Sequence, residues 1–387
     1  MAEINPFKRR NSVARSLLVK NKISALLVTN KTNIQYLSGF TGSAGFILLT
    51  KTKPVLFTDS RYFEGASYKT PKFFKLENIS KLWKNEAILK DHWLKTLKKY
   101  RIKNLGFESD SISYKQFKKF KKLTSTVKFI ETLGLVEEIR SIKDTEEIKK
   151  IKKSQEINEK VFKRILEIIR DAAAKNKPIT EEEIAWKIRV LGHELGAEDV
   201  SFAPIIAFGR NTSIPHHESG ETKLKKNDII LIDMGMKYKG YCSDMTRTIF
   251  LGTPTPEQKK VYDTVLQAQL TAIQQIKTGV SEQKIDTTCR DYISSKKYGK
   301  YFTHSTGHGV GLNIHEIPSF HEAKNLQKTT RKMQKQPQHK KIETKLQPGM
   351  TVTVEPGIYL KGKFGIRIED MILVTEKDRI NLTKAKK

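Results

Sequence analysis

The sequence predicts an α+β protein in which a smaller α/β domain, residues 1–138, precedes a larger domain, residues 139–387. Short apolar runs alternate with lysine-rich helical segments in the first part, whereas the second part combines long amphipathic helices with two pairs of strands that carry acidic residues. Strands and helices that do not alternate regularly are typical of α+β folds.

The first domain is predicted from short apolar runs separated by polar segments. Its expected elements are a helix and a strand within residues 14–30, strands at residues 45–50 and 54–59, and helical segments with short apolar stretches at residues 73–126. The segments NIQYLSGFTGSAG and TDSRYFEGA, rich in glycine, serine and aromatic residues, follow two of these strands. We expect the domain boundary between residues 131 and 143.

Three helix starts are predicted in the second domain. Asp144 with Glu147 and Thr180 with Glu183 have the spacing of a capping box, and Thr255 precedes a proline at the first helical position. Apolar residues then recur with the helical period, which predicts long helices with one buried face.

A first hairpin is predicted at residues 228–252, where each strand carries an aspartate among apolar residues. A turn centred between Tyr238 and Lys239 would place Asp233 directly opposite Asp244. Facing residues have Cβ atoms about 4.5–5.5 Å apart, and like charges there are destabilising. A divalent cation would neutralise them.

A second hairpin is predicted from residues 351–360 and 365–374, with Gly362 in the turn. Glu355 and Glu369 are seven residues from Gly362 on either side, so they also form a candidate facing pair. A β-bulge in either hairpin would shift its register by one residue and break the pairing.

Between the hairpins lies HSTGHGVGLNIHE, in which glycines surround His308. The four hairpin carboxylates and this imidazole form a candidate site for two divalent ions, since four buried carboxylates cannot all be ionised without cations. The predicted metal ligands are Asp233, Asp244, His308, Glu355 and Glu369. Oxygen-rich ligation with one nitrogen favours Mn, with Co, Zn or Fe as alternatives.

The charge is strongly positive, with 72 Lys and Arg against 42 Asp and Glu and a formal net charge of +30. The excess is spread along the chain without a nucleic-acid-binding motif, so binding to nucleic acid is not expected.

Residues 323–345 are polar and basic, which predicts a surface insertion or an arm for an acidic partner. Two cysteines and no long apolar run predict a cytoplasmic protein without a membrane span.

The segments LIDMGMKYKGYCSDMTRT, HSTGHGVGLNIHEIP, VEPGIY and GIRIED resemble the metal-site motifs of the pita-bread metallopeptidases, which include Xaa-Pro aminopeptidases, Xaa-Pro dipeptidases (prolidases) and methionine aminopeptidases. The resemblance implies a dinuclear centre in which Asp244 and Glu369 bridge the ions, Asp233 completes one shell, and His308 and Glu355 complete the other. The segments NIQYLSGFTGSAG and LFTDSRY resemble the creatinase-type N-terminal domain, which favours the proline-directed branch.

The resemblance also assigns roles on the substrate side. It implies that a metal-bridged hydroxide attacks the carbonyl before proline, that His216 and His315 contact the substrate and stabilise the oxyanion, and that Glu355 carries a proton to the leaving nitrogen. For Arg367, contact with a substrate carboxylate and orientation of a metal-binding carboxylate are equally expected. His217 is given no role.

Several alternatives remain at this stage. The leading hypothesis is an Xaa-Pro aminopeptidase, a homodimer by resemblance, acting on proline-containing peptides. The alternatives are a prolidase restricted to dipeptides, a non-catalytic binding protein on the same fold and, more remotely, a creatinase-like hydrolase.

Overall fold

A computed structural model describes residues 5–124, 126–320 and 344–387. Nearly all of the basic segment predicted as an insertion lies outside these residues. The chain divides into two compact units, Met1–Arg140 and Ser141–Lys387. Among the helices described, none combines the length and apolar character that crossing a bilayer requires.

The N-terminal unit is built on a mixed sheet. Its strands, in the sheet order β4-β3-β2-β1-β5-β6, are β1 (Ala25–Val28), β2 (Gly45–Thr50), β3 (Val55–Thr58), β4 (Lys75–Asn78), β5 (Asn104–Glu108) and β6 (Lys128–Thr132). Its helices are α1 (Pro6–Lys20), α2 (Lys31–Ser38), α3 (Ser60–Lys69), α4 (Glu86–Lys99), α5 (Tyr114–Leu123) and α6 (Leu135–Ser141), with a 3₁₀ turn at Leu82–Lys84. Strand β2 runs antiparallel to β1 and β3, while β1, β5 and β6 are parallel to one another.

Four long helices lie in the C-terminal unit: α7 (Thr145–Ala174), α8 (Glu181–Glu194), α9 (Pro256–Gln275) and α10 (Glu282–Ser295). The predicted capping boxes at Asp144 and Thr180 are formed, and the helix start predicted at Thr255 is also a capping box. Each satisfies backbone N–H groups that the first helical turn leaves without partners.

The described part of this unit also contains 3₁₀ turns at Gly209–Ser213 and Gly299–Tyr301 and a series of short strands. The strands are β7 (Asp199–Val200), β8 (Ile205–Phe208), β9 (Ile229–Met234), β10 (Met236–Tyr238), β11 (Tyr241–Cys242), β12 (Met245–Phe250), β13 (Gly307–Gly309), β14 (Glu316–Phe320), β15 (Thr351–Val354), β16 (Gly357–Leu360), β17 (Phe364–Arg367), β18 (Asp370–Val374) and β19 (Arg379–Asn381). The sheet orders are β11-β10-β7, β12-β9-β8, β14-β13-β15-β18-β19 and β16-β17. The predicted α+β character is confirmed.

Each helix pair covers one face of a sheet. Helices α7 and α8 pack on β8 and β9 in one hydrophobic cluster, and α9 and α10 pack on β15 and β18 in another. Side chains alternate across a strand, so when Ile230 and Ile232 point to the helices, Asp233 points to the opposite face. The faces turned away from the helices are therefore free to carry polar side chains.

The predicted register of the first hairpin is wrong by two residues. Lys239 and Gly240 both have positive φ, 47° and 81°, as a two-residue type I′ turn requires, so the turn is centred one residue later than expected. Thr246 therefore pairs with Asp233. Asp244 is the diagonal neighbour of Asp233, and because the shift is an even number of residues both side chains keep the same face.

The second hairpin follows the predicted register on both sides of its acidic residues. Val354 pairs with Asp370 in one ladder and Gly357 with Arg367 in the next, which places Glu355 opposite Glu369 where the two ladders meet. Gly362 has φ of 73° and lies in the turn, as expected.

Candidate metal centre

The first hairpin brings two aspartates into the interior of the C-terminal unit. Asp233 and Asp244 are 8% and 4% exposed. Asp233 Oδ2 accepts a hydrogen bond from Arg367 Nη2 at 2.6 Å, whereas Asp233 Oδ1 is buried and has no hydrogen-bond partner among the described residues. An unpartnered buried carboxylate oxygen is costly unless something outside the chain binds it.

His308 enters the site on β13, where its neighbours have no room for a side chain. A Cβ at Gly307 would lie 2.1 Å from the Thr353 carbonyl oxygen, and one at Gly309 would lie 2.5 Å from the Ile317 carbonyl oxygen. The imidazole Nδ1 is 3.0 Å from the carbonyl oxygen of Gly309, which can only accept a hydrogen bond, so Nδ1 carries the proton and donates. Nε2 is thereby left as the atom that faces the carboxylates, as in many metal-binding histidines.

The second hairpin supplies two glutamates beside this imidazole. Glu355 Oε1 lies 3.3 Å from His308 Nε2 and accepts a hydrogen bond from the Thr353 hydroxyl at 3.2 Å. Glu369 Oε2 accepts a hydrogen bond from the Thr246 hydroxyl at 2.8 Å. Thr246 is thus a part of the site that sequence reasoning missed, because the predicted register did not place it opposite Asp233.

Three of the side chains form a compact ligand set. Asp244, His308 and Glu369 each offer one ligand atom, and these atoms all lie within 4.8 Å of one another. His308 Nε2 is 3.7 Å from Asp244 Oδ2. Two carboxylates and an imidazole suit a divalent transition-metal ion.

Burial and the crowding of acidic groups together determine the electrostatics of the site. Burial and then the charges of Glu369 and Asp233 raise the pKa of Asp244 well above its ordinary value. Burial and then the charges of Glu355 and Asp233 do the same to the pKa of Glu369. A divalent ion bound between them would compensate this charge and lower both pKa values again.

Glu355 and His308 form an ion pair in this cluster. Burial acts to raise the pKa of Glu355, but the hydrogen bond and charge of His308 outweigh it and lower the pKa to about 2. Burial likewise acts to lower the pKa of His308, and Glu355 raises it above its ordinary value. Glu355 is therefore ionised, whereas the pKa values of Asp244 and Glu369 are shifted in the opposite direction.

Arg367 is held by the protein on several sides. Besides Asp233, its guanidinium donates to the Tyr359 hydroxyl at 2.8 Å, the Pro215 carbonyl oxygen at 3.2 Å and Thr246 Oγ1 at 3.1 Å. These contacts favour the interpretation that Arg367 orients a carboxylate over contact with a substrate carboxylate.

Tyr359 and His304 are further residues that sequence reasoning missed. His304 Nε2 is 2.9 Å from the Tyr359 hydroxyl, so a hydrogen-bonded chain connects His304, Tyr359, Arg367 and Asp233. Both residues lie inside the motifs HSTGHGVG and VEPGIY. The only sequence signal for their contact is the hairpin register, which places Tyr359 diagonally across from Arg367.

His315 and His216 lie at the edge of the cluster, and both are exposed. The rings of His308 and His315 are 4.3 Å apart and nearly perpendicular. Partial burial, followed by the charge of His308, lowers the pKa of His315, and the charge of His216 adds to this effect. A neutral imidazole at His315 can donate a hydrogen bond at neutral pH.

Contacts with two buried glutamates hold the two segments that carry these histidines. Lys143 Nζ lies 3.3 Å from Glu316 Oε2, directly after His315. His217 Nε2 lies 2.7 Å from Glu181 Oε2, directly after His216. The sequence predicted no role for His217. In the structure it anchors its segment to α8.

Comparison with known proteins identifies the class. Residues 149–376 match the model of metallopeptidase family M24, and residues 10–142 match that of the creatinase/prolidase N-terminal domain. The chain belongs to metallopeptidase family M24. Its fold is the pita-bread fold preceded by a creatinase-type domain, as predicted, and members of this family use divalent metal ions.

Individual relatives within this class are named as peptidases for Xaa-Pro substrates. The chain is 34% identical to an Xaa-Pro dipeptidase of Pyrococcus horikoshii over 95% of each chain. The solved structure of an Xaa-Pro dipeptidase from Bacillus anthracis matches at 36% identity with a TM-score of 0.86 and covers 98% of both chains. That of an X-Pro aminopeptidase from Thermotoga maritima matches at 33% with a TM-score of 0.80, over 96% of this chain and 98% of the other. These relatives are named as peptidases, so the alternative of a non-catalytic binding protein finds no support.

Proposed function

We propose that this metallopeptidase hydrolyses the peptide bond between an N-terminal residue and a following proline. The observation that carries the proposal is the buried set of Asp244, His308 and Glu369, with Asp233 and Glu355 beside it. The names of its relatives, which include dipeptidases and an aminopeptidase for Xaa-Pro substrates, support the choice of bond.

The donor set fits two divalent ions. Asp244 and Glu369 are the proposed shared ligands, Asp233 would complete one shell through its unpartnered Oδ1, and His308 and Glu355 would complete the other. Ions bound there would lower the pKa of a water molecule and so supply the nucleophile at neutral pH. Mn is the proposed metal, because four carboxylates and one nitrogen favour a hard ion.

The remaining residues would handle the substrate and its protons. His216 and His315, at the exposed edge of the cluster, would donate hydrogen bonds to the oxygen on which charge develops. Glu355, ionised beside His308, would accept the proton of the attacking water and pass it to the proline nitrogen as the bond breaks. Arg367 would keep Asp233 in position, with Tyr359 and His304 behind it.

The leading form of the proposal is an aminopeptidase that also accepts peptides longer than two residues, and the alternative is a prolidase restricted to dipeptides, in line with the names of the Pyrococcus and Bacillus relatives. Release of alanine from Ala-Pro and Ala-Pro-Ala, with Mn-loaded and chelator-stripped protein, separates them. We expect metal-dependent cleavage of both. Cleavage of Ala-Pro alone would establish the prolidase, and absence of cleavage by folded, metal-loaded protein would refute the proposal.

A further inference from the structure

A groove runs along the outer side of α8 within the C-terminal unit, next to the candidate metal centre. It has a volume of 570 Å³, within the range of small-ligand sites. We call it the α8 groove; it lies between Glu182, Trp186 and Arg189 on the helix and Pro204, His216 and Ser219 on the facing segment. Pro215, directly before His216, accepts a hydrogen bond from Arg367 Nη1 at 3.2 Å, and Arg367 also donates to Asp233, so the segment that lines the groove is attached to the edge of the centre.

Buried hydrogen bonds fix the wall that faces α8. Glu181, 0% exposed, accepts hydrogen bonds from the backbone N–H groups of Phe208 at 2.8 Å and Gly220 at 3.2 Å, in addition to its contact with His217. Ser219 Oγ accepts from the backbone N–H of Ile206 at 2.8 Å. A groove whose walls are already held in place loses little entropy when a ligand binds.

Helix α8 places an aromatic ring, that of Trp186, and then a cation, that of Arg189, along the groove. Trp186 is 65% exposed, although a tryptophan of a folded domain is usually well buried. Glu182 N donates to Gly220 O at 3.0 Å, which places the 216–220 segment at the first turn of α8. Arg189 is seven residues along the helix from Glu182, about 10 Å away at a rise of 1.5 Å per residue.

These dimensions suit a short stretch of extended peptide. At about 3.3 Å per residue, roughly three residues would span the distance from Glu182 to Arg189. The acidic side chains Glu182 and Glu218 line the end next to His216, so a terminal carboxylate is favoured only at the Arg189 end. The ion pair of Arg189 with Asp199, 3.6 Å apart and exposed, contributes little and can be replaced by a ligand carboxylate.

From these observations we propose that the α8 groove binds the part of a peptide substrate that follows the proline. Trp186 stacks on the peptide and Arg189 pairs with its C-terminal carboxylate, so the groove favours free peptides of about four or five residues over dipeptides. This proposal rests on the proposed function, since it assigns the peptide's direction from cleavage at the metal centre.

The test compares Ala-Pro, Ala-Pro-Ala-Ala and the C-terminal amide of that tetrapeptide in wild type, Trp186→Ala, Arg189→Gln and the control Val190→Ala. Val190 is exposed on the same helix but does not line the groove. We expect KM for the tetrapeptide to rise about tenfold in Trp186→Ala, with Ala-Pro turnover unchanged and Val190→Ala like wild type. Amidation should weaken binding in wild type but have no further effect in Arg189→Gln.

An unchanged KM for the tetrapeptide in Trp186→Ala, or an equal loss for Ala-Pro, would overturn the groove proposal. Failure of the proposed function would be recognised separately, by the absence of any metal-dependent cleavage of Ala-Pro in wild type. In that case calorimetry still tests the groove, by comparing the affinity of metal-loaded wild type and Trp186→Ala for the product-like peptide Pro-Ala-Ala. Equal affinities would refute the role of Trp186.

Discussion

Glu369 and Asp370 are adjacent and almost fully buried, yet their surroundings are opposite in kind. Asp370 Oδ1 accepts a hydrogen bond from Arg247 Nη2 at 2.8 Å, and Asp370 Oδ2 accepts one from Asn381 Nδ2 at 2.8 Å and lies 2.7 Å from Lys387 Nζ. Glu369 points to the other face of the strand, where Thr246 donates a single hydrogen bond, and where burial, followed by the charges of Glu355 and Asp233, raises the pKa of Glu369.

The difference separates a structural role from a functional one. A buried charge that serves the fold has its counter-charges and hydrogen-bond donors within the chain, as Asp370 does. The carboxylates on the site face have too few donors and too many like charges, which is stable only with protons or a cation. Burial alone would not distinguish the two residues, whereas their partners do.

The largest expected effect concerns the site face. Glu369→Gln or Asp244→Asn should lower both metal content and turnover by at least about a hundredfold, since even residues that merely support metal ligands often cost that much. In chelator, the free energy of unfolding should stay the same or increase, because one repelling group is removed. Metal analysis, turnover and urea unfolding on the same samples provide the measurement. Wild-type turnover in either variant would refute the two-ion centre.

The opposite result is expected on the other face. Arg247→Met leaves the buried carboxylate of Asp370 without its main partner and should reduce the free energy of unfolding by about 3–5 kcal/mol. The double variant Arg247→Met with Asp370→Asn should recover part of the loss. Urea unfolding measures both. If Arg247→Met destabilised the protein no more than Glu369→Gln, the distinction between the faces would be wrong.

Metal binding gives a third comparison. Divalent ions that bind only the folded protein stabilise it by about 4 kcal/mol at a thousandfold excess over Kd. We expect Mn to raise the Tm of wild type and Arg247→Met alike, but not that of Glu369→Gln. A scan of Tm against Mn concentration checks this, and an equal rise in Glu369→Gln would place the ion elsewhere.

The hairpins show how much of the site is predictable from sequence. Strand alternation and a turn glycine placed Glu355 opposite Glu369, because Gly362 offers one clear centre for the turn. In the first hairpin Lys239 adopts positive φ, which is uncommon for a residue with a side chain, and the turn centre therefore shifted. The aspartates still share a face, since face depends only on whether the shift is even.

Contacts between distant segments were beyond sequence reasoning. Glu181 with His217, and Lys143 with Glu316, are paired by the packing of helices and loops that no local pattern specifies. The same holds for the groove wall on α8, where Trp186 is exposed even though the helix has a regular apolar face. Local rules gave the element types and the candidate ligands, while these supporting partners depend on tertiary structure.

Glu108 in the N-terminal unit is a buried carboxylate whose surroundings are intermediate between those of Glu369 and Asp370. Its substitution has the smallest expected effect. Glu108 accepts hydrogen bonds from the backbone N–H groups of Thr29 and Asn30 and from Asn33 Nδ2, each at 2.7 Å. Burial outweighs these donors and raises the pKa of Glu108 to about 7 from an ordinary 4.5. Glu108 thus has donors, as Asp370 does, but among the hydrogen-bond partners just named there is no cation.

A raised pKa means that the folded state binds the proton more tightly than the unfolded state, so stability is lost as the pH rises from about 4.5 to about 7. Between pH 5 and pH 7 the contribution of Glu108 should fall by roughly 2 kcal/mol. Glu108→Gln does not titrate, so the difference in unfolding free energy between wild type and variant should move by that amount in favour of the variant. Urea unfolding of both proteins at both pH values isolates this group, because other titrations are shared. Parallel pH profiles would show that the three N–H donors keep Glu108 ionised throughout, which would place it with Asp370 among the fully satisfied carboxylates.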